Sequence, residues 1–216
     1  VTKTYIQQLQ DKTITPQVLA TRIRRNPTQL SDLLTGLHSN KATIRYGCSK
    51  TLIILSTTDP TLLYPHFNVF VTLLESPYRI LTWNALTILA NLTLADTQKK
   101  FEKIMNTYYH HLTDGDLITV NTIVQASPTI ANAKPHLTDT IIHHLLSTNS
   151  LPTGPHLTTE CKHIIATKTI QALDILYPHT TNHTPILTYV TQHANSTRGI
   201  TRKTAQTFLK KHGDSP

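Results

Sequence analysis

Paired histidines are the residues of this 216-residue chain whose spacing first suggests chemistry. His110-His111 and His143-His144 could each present imidazole nitrogens to zinc or nickel. A built zinc site uses Cys-x-x-Cys or His-Glu-x-x-His spacing, and neither occurs. The chain holds 13 histidines against only 6 glycines, in a background rich in Thr, Asn, Gln and Pro. Histidine abundance therefore reads as compositional bias, and no metal is expected. The 12 carboxylates are scattered, with no pair placed for acid–base work. A glycine-rich phosphate loop and a Gly-x-Ser-x-Gly elbow are both missing, and nothing selects one Ser-His-Asp trio. The sequence predicts a non-enzymatic chain with no cofactor and no small-molecule substrate.

Charge points to a partner class. Lys and Arg number 20 against 12 Asp and Glu, a formal net charge of +8. Such a balance favours acidic partners, with nucleic acid the first suspect, although a soluble basic surface carries the same total. The most basic segment holds Arg198, Arg202, Lys203, Lys210 and Lys211, which could contact phosphates or simply cap a helical stack. Cys48 and Cys161 fall within apolar helical patterns and read as small buried hydrophobes of a reducing compartment, not as a disulfide. No apolar run approaches the roughly 20 residues of a membrane span. Val1-Thr2-Lys3-Thr4-Tyr5 has no signal-peptide core, so a cytoplasmic location is expected. Asn-x-Ser/Thr matches at Asn91, Asn182 and Asn195 carry little weight without a secretory signal.

The elements that must position these residues are helices. Tyr5, Ile6 and Leu9 start a short one; Thr15-Pro16 starts another, with Thr as cap and Pro in the first turn, ending in Arg22, Arg24 and Arg25. From Pro27 the chain repeats a helix–turn–helix unit. Leu30, Leu33, Leu34 and Leu37 form an i, i+3, i+4, i+7 stripe, followed by a second helix from Lys41 towards Ser56. Asp59-Pro60 stops and restarts the chain. A first helix through Leu62 to Leu74 leads into Ser76–Leu92, the best amphipathic stretch in the sequence.

The third unit runs from Thr97 through Tyr108, breaks at Asp114-Gly115-Asp116 and returns over Leu117–Ala126, where Pro128 is expected to shorten or kink the helix. The fourth pairs a helix carrying Ile141, Ile142, Leu145 and Leu146 with one from about Thr158 to Tyr177. Ser147–Pro155 is the longest loop. The fifth pairs Pro185–Ala194 with Arg198–Lys211. His66 and His136, each after a proline at a first-helix start, occupy one repeat position. Alternating strand patterns are absent, so the chain is predicted to be all-α.

The second helices align on Cys48, Ala85, Ile123, Ala166 and Ala205, at intervals of 37, 38, 43 and 39 residues. Four residues on stand Leu52, Leu89, Ser127, Ile170 and Leu209, of which only Ser127 breaks the pattern. In the first unit a leucine, Leu37, precedes a polar break, then Ile44-Arg45, Cys48 and Leu52. This order resembles the HEAT/armadillo class of helical repeats. Arg202 keeps the arginine place in the fifth unit, while Thr82, Val120 and His163 fill it in the others. The resemblance covers residues 27–212 and implies a right-handed α-solenoid of about five helix pairs. Residues 1–26 would form an N-terminal cap and 213–216 a tail, within one domain over 1–216.

That register also orients a surface. Positions two before and two after each anchor lie about 160–200° from it around the helix. With the anchors facing their partner helices, Tyr46, Trp83, Asn121, Ile164 and Lys203, and Lys50, Thr87, Gln125, Lys168 and Thr207, point to the opposite, concave face. Two aromatics, an amide pair and spaced lysines there suit peptide or nucleic-acid binding, although Tyr46 and Trp83 could instead pack between adjacent repeats; the leading reading is a protein or peptide partner. The alternative is a basic nucleic-acid binder. Some DNA glycosylases for alkylated bases are similar in architecture, with aromatic and acidic residues in the concavity. Trp83 is present here, but neither column holds an acidic residue.

Overall fold

The structure is a computed structural model that describes residues 4–114 and 116–213. Val1–Lys3, Gly115 of the third break and residues 214–216 of the expected tail lie outside the described residues. Among the described residues the fold is all-helical. No strand forms, and Gly154 and Leu157 make an isolated antiparallel bridge. Two compact units divide the chain, Val1–Ile104 and Met105–Pro216.

The first unit begins with α1 (Tyr5–Gln10), closed by a capping box between Thr4 and Gln7, and α2 (Pro16–Arg25), capped by the Thr15 hydroxyl. The expected cap chemistry is thus present at Thr15-Pro16. Next come α3 (Leu30–Gly36) and α4 (Ala42–Thr58), with Leu30, Leu33 and Leu37 buried and Leu34 half-buried. Asp59 ends α4, and its carboxylate caps α5 (Pro60–Leu63) by accepting from the Leu62 N–H.

The predicted helix through Leu62 to Leu74 is broken. It runs as α5, a 3-10 turn at Tyr64–His66, α6 (Phe67–Thr72) and a second 3-10 turn at Leu73–Glu75. Pro65 supplies a reason, since it has no N–H for the ladder. Then α7 (Arg79–Leu92) fills the predicted amphipathic stretch. The Asp96 carboxylate caps α8 (Lys100–His110), accepting from the N–H groups of Lys100 and Phe101 at 2.8 and 2.9 Å.

The second unit contains α9 (Leu117–Ala133), α10 (Thr138–Leu146), α11 (Thr159–Leu176), α12 (Thr184–His193) and α13 (Gly199–His212). Helix α9 does not stop at Ala126. It continues through Pro128 to Ala133, although proline offers no N–H to the Val124 carbonyl. Burial explains the tolerance: Ile130 and Ala131 beyond the proline are both core residues.

All five anchors are buried, none more than 2% exposed. Leu52, Leu89 and Ile170 are buried four residues on, and Leu209 is half-buried. Ser127 is buried too, because its hydroxyl has partners: the Ile123 carbonyl at 2.8 Å and the Tyr109 hydroxyl at 3.0 Å. A polar side chain fits an apolar position once it is hydrogen-bonded.

Second helices pack side by side and parallel within each unit. Asn84 on α7 donates to Ser49 on α4 at 2.8 Å, and Asn91 donates to Ser56 at 2.9 Å. Both bonds span 35 residues, so the two helices keep one register over two turns. On α11 and α13, Arg198 bonds Glu160 near the starts, Thr167 and Thr201 meet at 2.8 Å, and Lys211 bonds Asp174 at 2.9 Å near the ends.

Candidate functional site

The ten positions of the two surface columns all reach solvent and none is buried. They fall in two sets. Tyr46, Lys50, Trp83 and Thr87 lie on α4 and α7 of the first unit; Asn121, Gln125, Lys168 and Lys203 lie on α9, α11 and α13 of the second, as do Ile164 and Thr207. Lys50 is exposed, while Tyr46, Trp83 and Thr87 are half-buried. Thr87 donates to the Trp83 carbonyl at 3.2 Å and Gln125 to the Asn121 carbonyl at 3.1 Å, bonds that satisfy these side chains along their own helices.

In the first unit the arginine of the repeat pattern organises an aromatic cluster. Arg45 is 4% exposed, and its Nη1 donates to the Ser39 carbonyl at 2.6 Å. Its guanidinium carbon lies 3.6 Å from the Tyr78 ring centroid and 5.0 Å from that of Tyr46. Because the Tyr78 ring is exposed, this cation–π contact is worth about 1 kcal/mol. Tyr46 therefore has a structural role next to any binding one.

In the second unit two positions of the surface columns line a real concavity. Lys203 and Thr207 face a groove of about 280 Å³ between α11 and α13. Ile170 and Phe208, both buried, contribute apolar wall, and Ile200 stands 60% exposed. Asp174 and Lys211 also line it, and Lys168 lies beside it, its ammonium 3.4 Å from Gln171. Burial alone would raise the Asp174 pKa. Hydrogen bonds from His212 Nε2 at 2.6 Å and from Lys211 outweigh it and hold the carboxyl below its ordinary value.

The basic residues read as phosphate contacts are mostly engaged elsewhere. Arg198 pairs with Glu160 and Lys211 with Asp174. Arg202 donates to the Ser196 carbonyl at 2.8 Å, six residues back, as Arg45 does to Ser39. Arg45 and Arg202 thus each tie down the turn before their own helix. Lys210 and Lys203 are exposed.

The histidine pairs are split by their surroundings. His111 is buried with Nδ1 2.7 Å from Asp114, whereas His110 is exposed. His144 stacks on Tyr109 at 4.4 Å, and burial followed by the nearby His143 lowers its pKa. Among the described residues no three His, Cys, Asp or Glu side chains converge for a metal. Cys48 is buried, and burial pushes its thiol up to about 12. Cys161 departs from the sequence reading: it is only half-buried, because it sits in the first turn of α11, its N–H donating to Thr158. Sequence reasoning passed over Ile200 and Asp174. An apolar residue one step past Arg198 and Gly199, outside the anchor register, was the available signal for the first.

The class defined so far is an all-helical protein with parallel stacked helices in each unit. Comparison with protein-family models, curated proteins and solved structures returned no match. Among the described residues no helix is long and apolar enough to cross a membrane.

Proposed function

We propose that this chain is a HEAT-like α-solenoid of about five helix pairs that serves as a non-enzymatic docking module for a protein partner. It takes a short peptide segment along the second helices, with an apolar side chain seated between α11 and α13 and acidic neighbours near Lys203. The observation that carries this reading is the groove itself. It joins an apolar wall of Ile170, Ile200 and Phe208 to a cationic rim, at two positions of the surface columns. Buried anchors and parallel second helices support the repeat architecture behind it. A nucleic-acid ligand is less favoured, because Arg198, Arg202 and Lys211 already have protein partners.

Selection of displayed random peptides on the folded protein tests this. Enriched peptides should carry a large apolar residue beside Asp or Glu. They should lose about tenfold or more in affinity on Thr207→Trp, which fills the groove, and on Lys203→Glu. Peptides indifferent to both variants would refute the groove. Tight, salt-dependent binding of duplex or single-stranded DNA without peptide enrichment would move the assignment to nucleic acid.

A further inference from the structure

A second concavity in the same unit has different chemistry. It lies where the 3-10 turn at Ser147–Ser150, the start of α11 and the end of α12 come together, with a volume of about 310 Å³. Asn149, Thr159, Lys162, His163, Gln192 and His193 supply its working polar groups, and no aspartate or glutamate lines it. Three of these side chains can be cationic. The volume is at the lower end of the range for small-molecule pockets.

Three features favour an anion. Thr159 opens α11, an 18-residue helix, where first-turn N–H groups lack intrahelical partners and the helix dipole is positive. Thr158 Oγ1 caps the Cys161 N–H. Next, His163 and His193 line the cavity as half-buried imidazoles, and His163 Nδ1 and His193 Nε2, although shielded from solvent, have no hydrogen-bond partner. Leaving such groups unpaired is costly, and an anion nearby offsets that cost through its charge. Finally, the walls are braced. Asn149 donates to Gln192 at 2.8 Å, and the Tyr189 hydroxyl lies 3.2 Å from Thr148 Oγ1.

Charged groups around the two imidazoles set the balance. On α11 these are Lys162 and Glu160; Arg198, before α13, is the other. Glu160 Oε2 lies 3.7 Å from His163 Nδ1, while its other oxygen is held by Arg198. Burial, then repulsion from His163, lowers the pKa of His193. A dianion in the cavity offsets that repulsion and draws a proton onto His193.

We propose that this cavity binds a phosphate-class oxyanion, either free or as a small monoester, through Lys162, His163, His193 and the start of α11. The site is separate from the α11–α13 groove and does not depend on the peptide-docking reading.

Calorimetric titration of the whole protein tests it, with sulfate as first probe because its charge is constant between pH 6 and 8. Binding should be saturable and about tenfold tighter at pH 6 than at pH 8. Lys162→Gln and His193→Gln should each weaken it about tenfold, while Lys103→Gln, on the exposed surface of the first unit, leaves it unchanged. If His193→Gln fails to fold by circular dichroism, Lys162→Gln alone decides. Parallel titrations with inorganic phosphate and glycerol phosphate separate the sources: a tighter ester marks a monoester site, equal affinities a free-anion site. No saturable heat, no dependence on pH, or equal affinity in wild type and Lys162→Gln overturns the proposal.

Discussion

Gly36 and Cys48 make the sharpest test of the anchor positions. A Cβ added at Gly36, the last residue of α3, would lie 2.5 Å from Cys48 Sγ and 3.3 Å from Ile6 Cδ1. Three helices therefore meet where glycine leaves room for the cysteine of α4. Gly36→Ala gains helix propensity of up to about 1 kcal/mol, less at a terminal position. It loses about 1–3 kcal/mol to overpacking, leaving a net destabilisation of about 1–2 kcal/mol. Cys48→Ala removes one fully buried sulfur and costs about 1 kcal/mol, comparable to a buried methylene. In the double variant the new methyl occupies the space the sulfur vacated. Urea unfolding of the four proteins should therefore give a double variant less destabilised than the sum of the singles by about 1–2 kcal/mol. Additivity within about 0.5 kcal/mol would mean that α3 and α4 do not meet through these two residues.

Three further outcomes follow from the same structure. Under native conditions at pH 8 an aromatic disulfide reagent should titrate Cys161 first and leave Cys48 unreacted until denaturant is added, since burial raises the Cys48 thiol to about 12. Pro128→Ala restores an N–H for the Val124 carbonyl and should raise the melting temperature, with about 3 kcal/mol as the ceiling of the gain. Acid should weaken the fold in two stages. Burial depresses His144 and His193 in the folded state, so below pH 6.5 the unfolded chain binds protons first and stability falls. Asp174, held below its ordinary 3.8 by His212 and Lys211, keeps its contribution above that pH and loses it as pH falls through the lower folded value. Melting temperature against pH should show His144→Phe flattening the first stage and Asp174→Asn the second.

Much of the helical frame was legible because its signals are local. Thr15, Asp59 and Thr158 start or stop helices through their own side chains, and each acts within three residues. Anchor burial was legible as well, since 3.6-residue periodicity reports which face of a helix is covered. The broken helix around Pro65 was not, because a periodic pattern survives in the sequence even where the backbone changes from α to 3-10. Neither was the passage of α9 through Pro128. There the cost of one missing hydrogen bond was weighed without the core that Ile130 and Ala131 enter.

For the sites the division is stricter. The sequence by itself determined an all-helical chain, its cap residues, the five buried anchors and a set of solvent-facing positions beside them. Each follows from residue spacing along a single helix. Only the tertiary structure decided what each of those positions meets. Arg202, read from the sequence as a possible phosphate contact, donates to the Ser196 carbonyl; Ser127, the exception to the anchor pattern, is bonded to Tyr109. Lys203 and Thr207 became part of a groove only when Ile170 and Asp174 of the neighbouring helix closed its far side. His163 and His193, 30 residues apart, share a cavity through helix packing alone. Local periodicity specifies a face, while a site is made by faces from different helices, and their meeting is a property of packing.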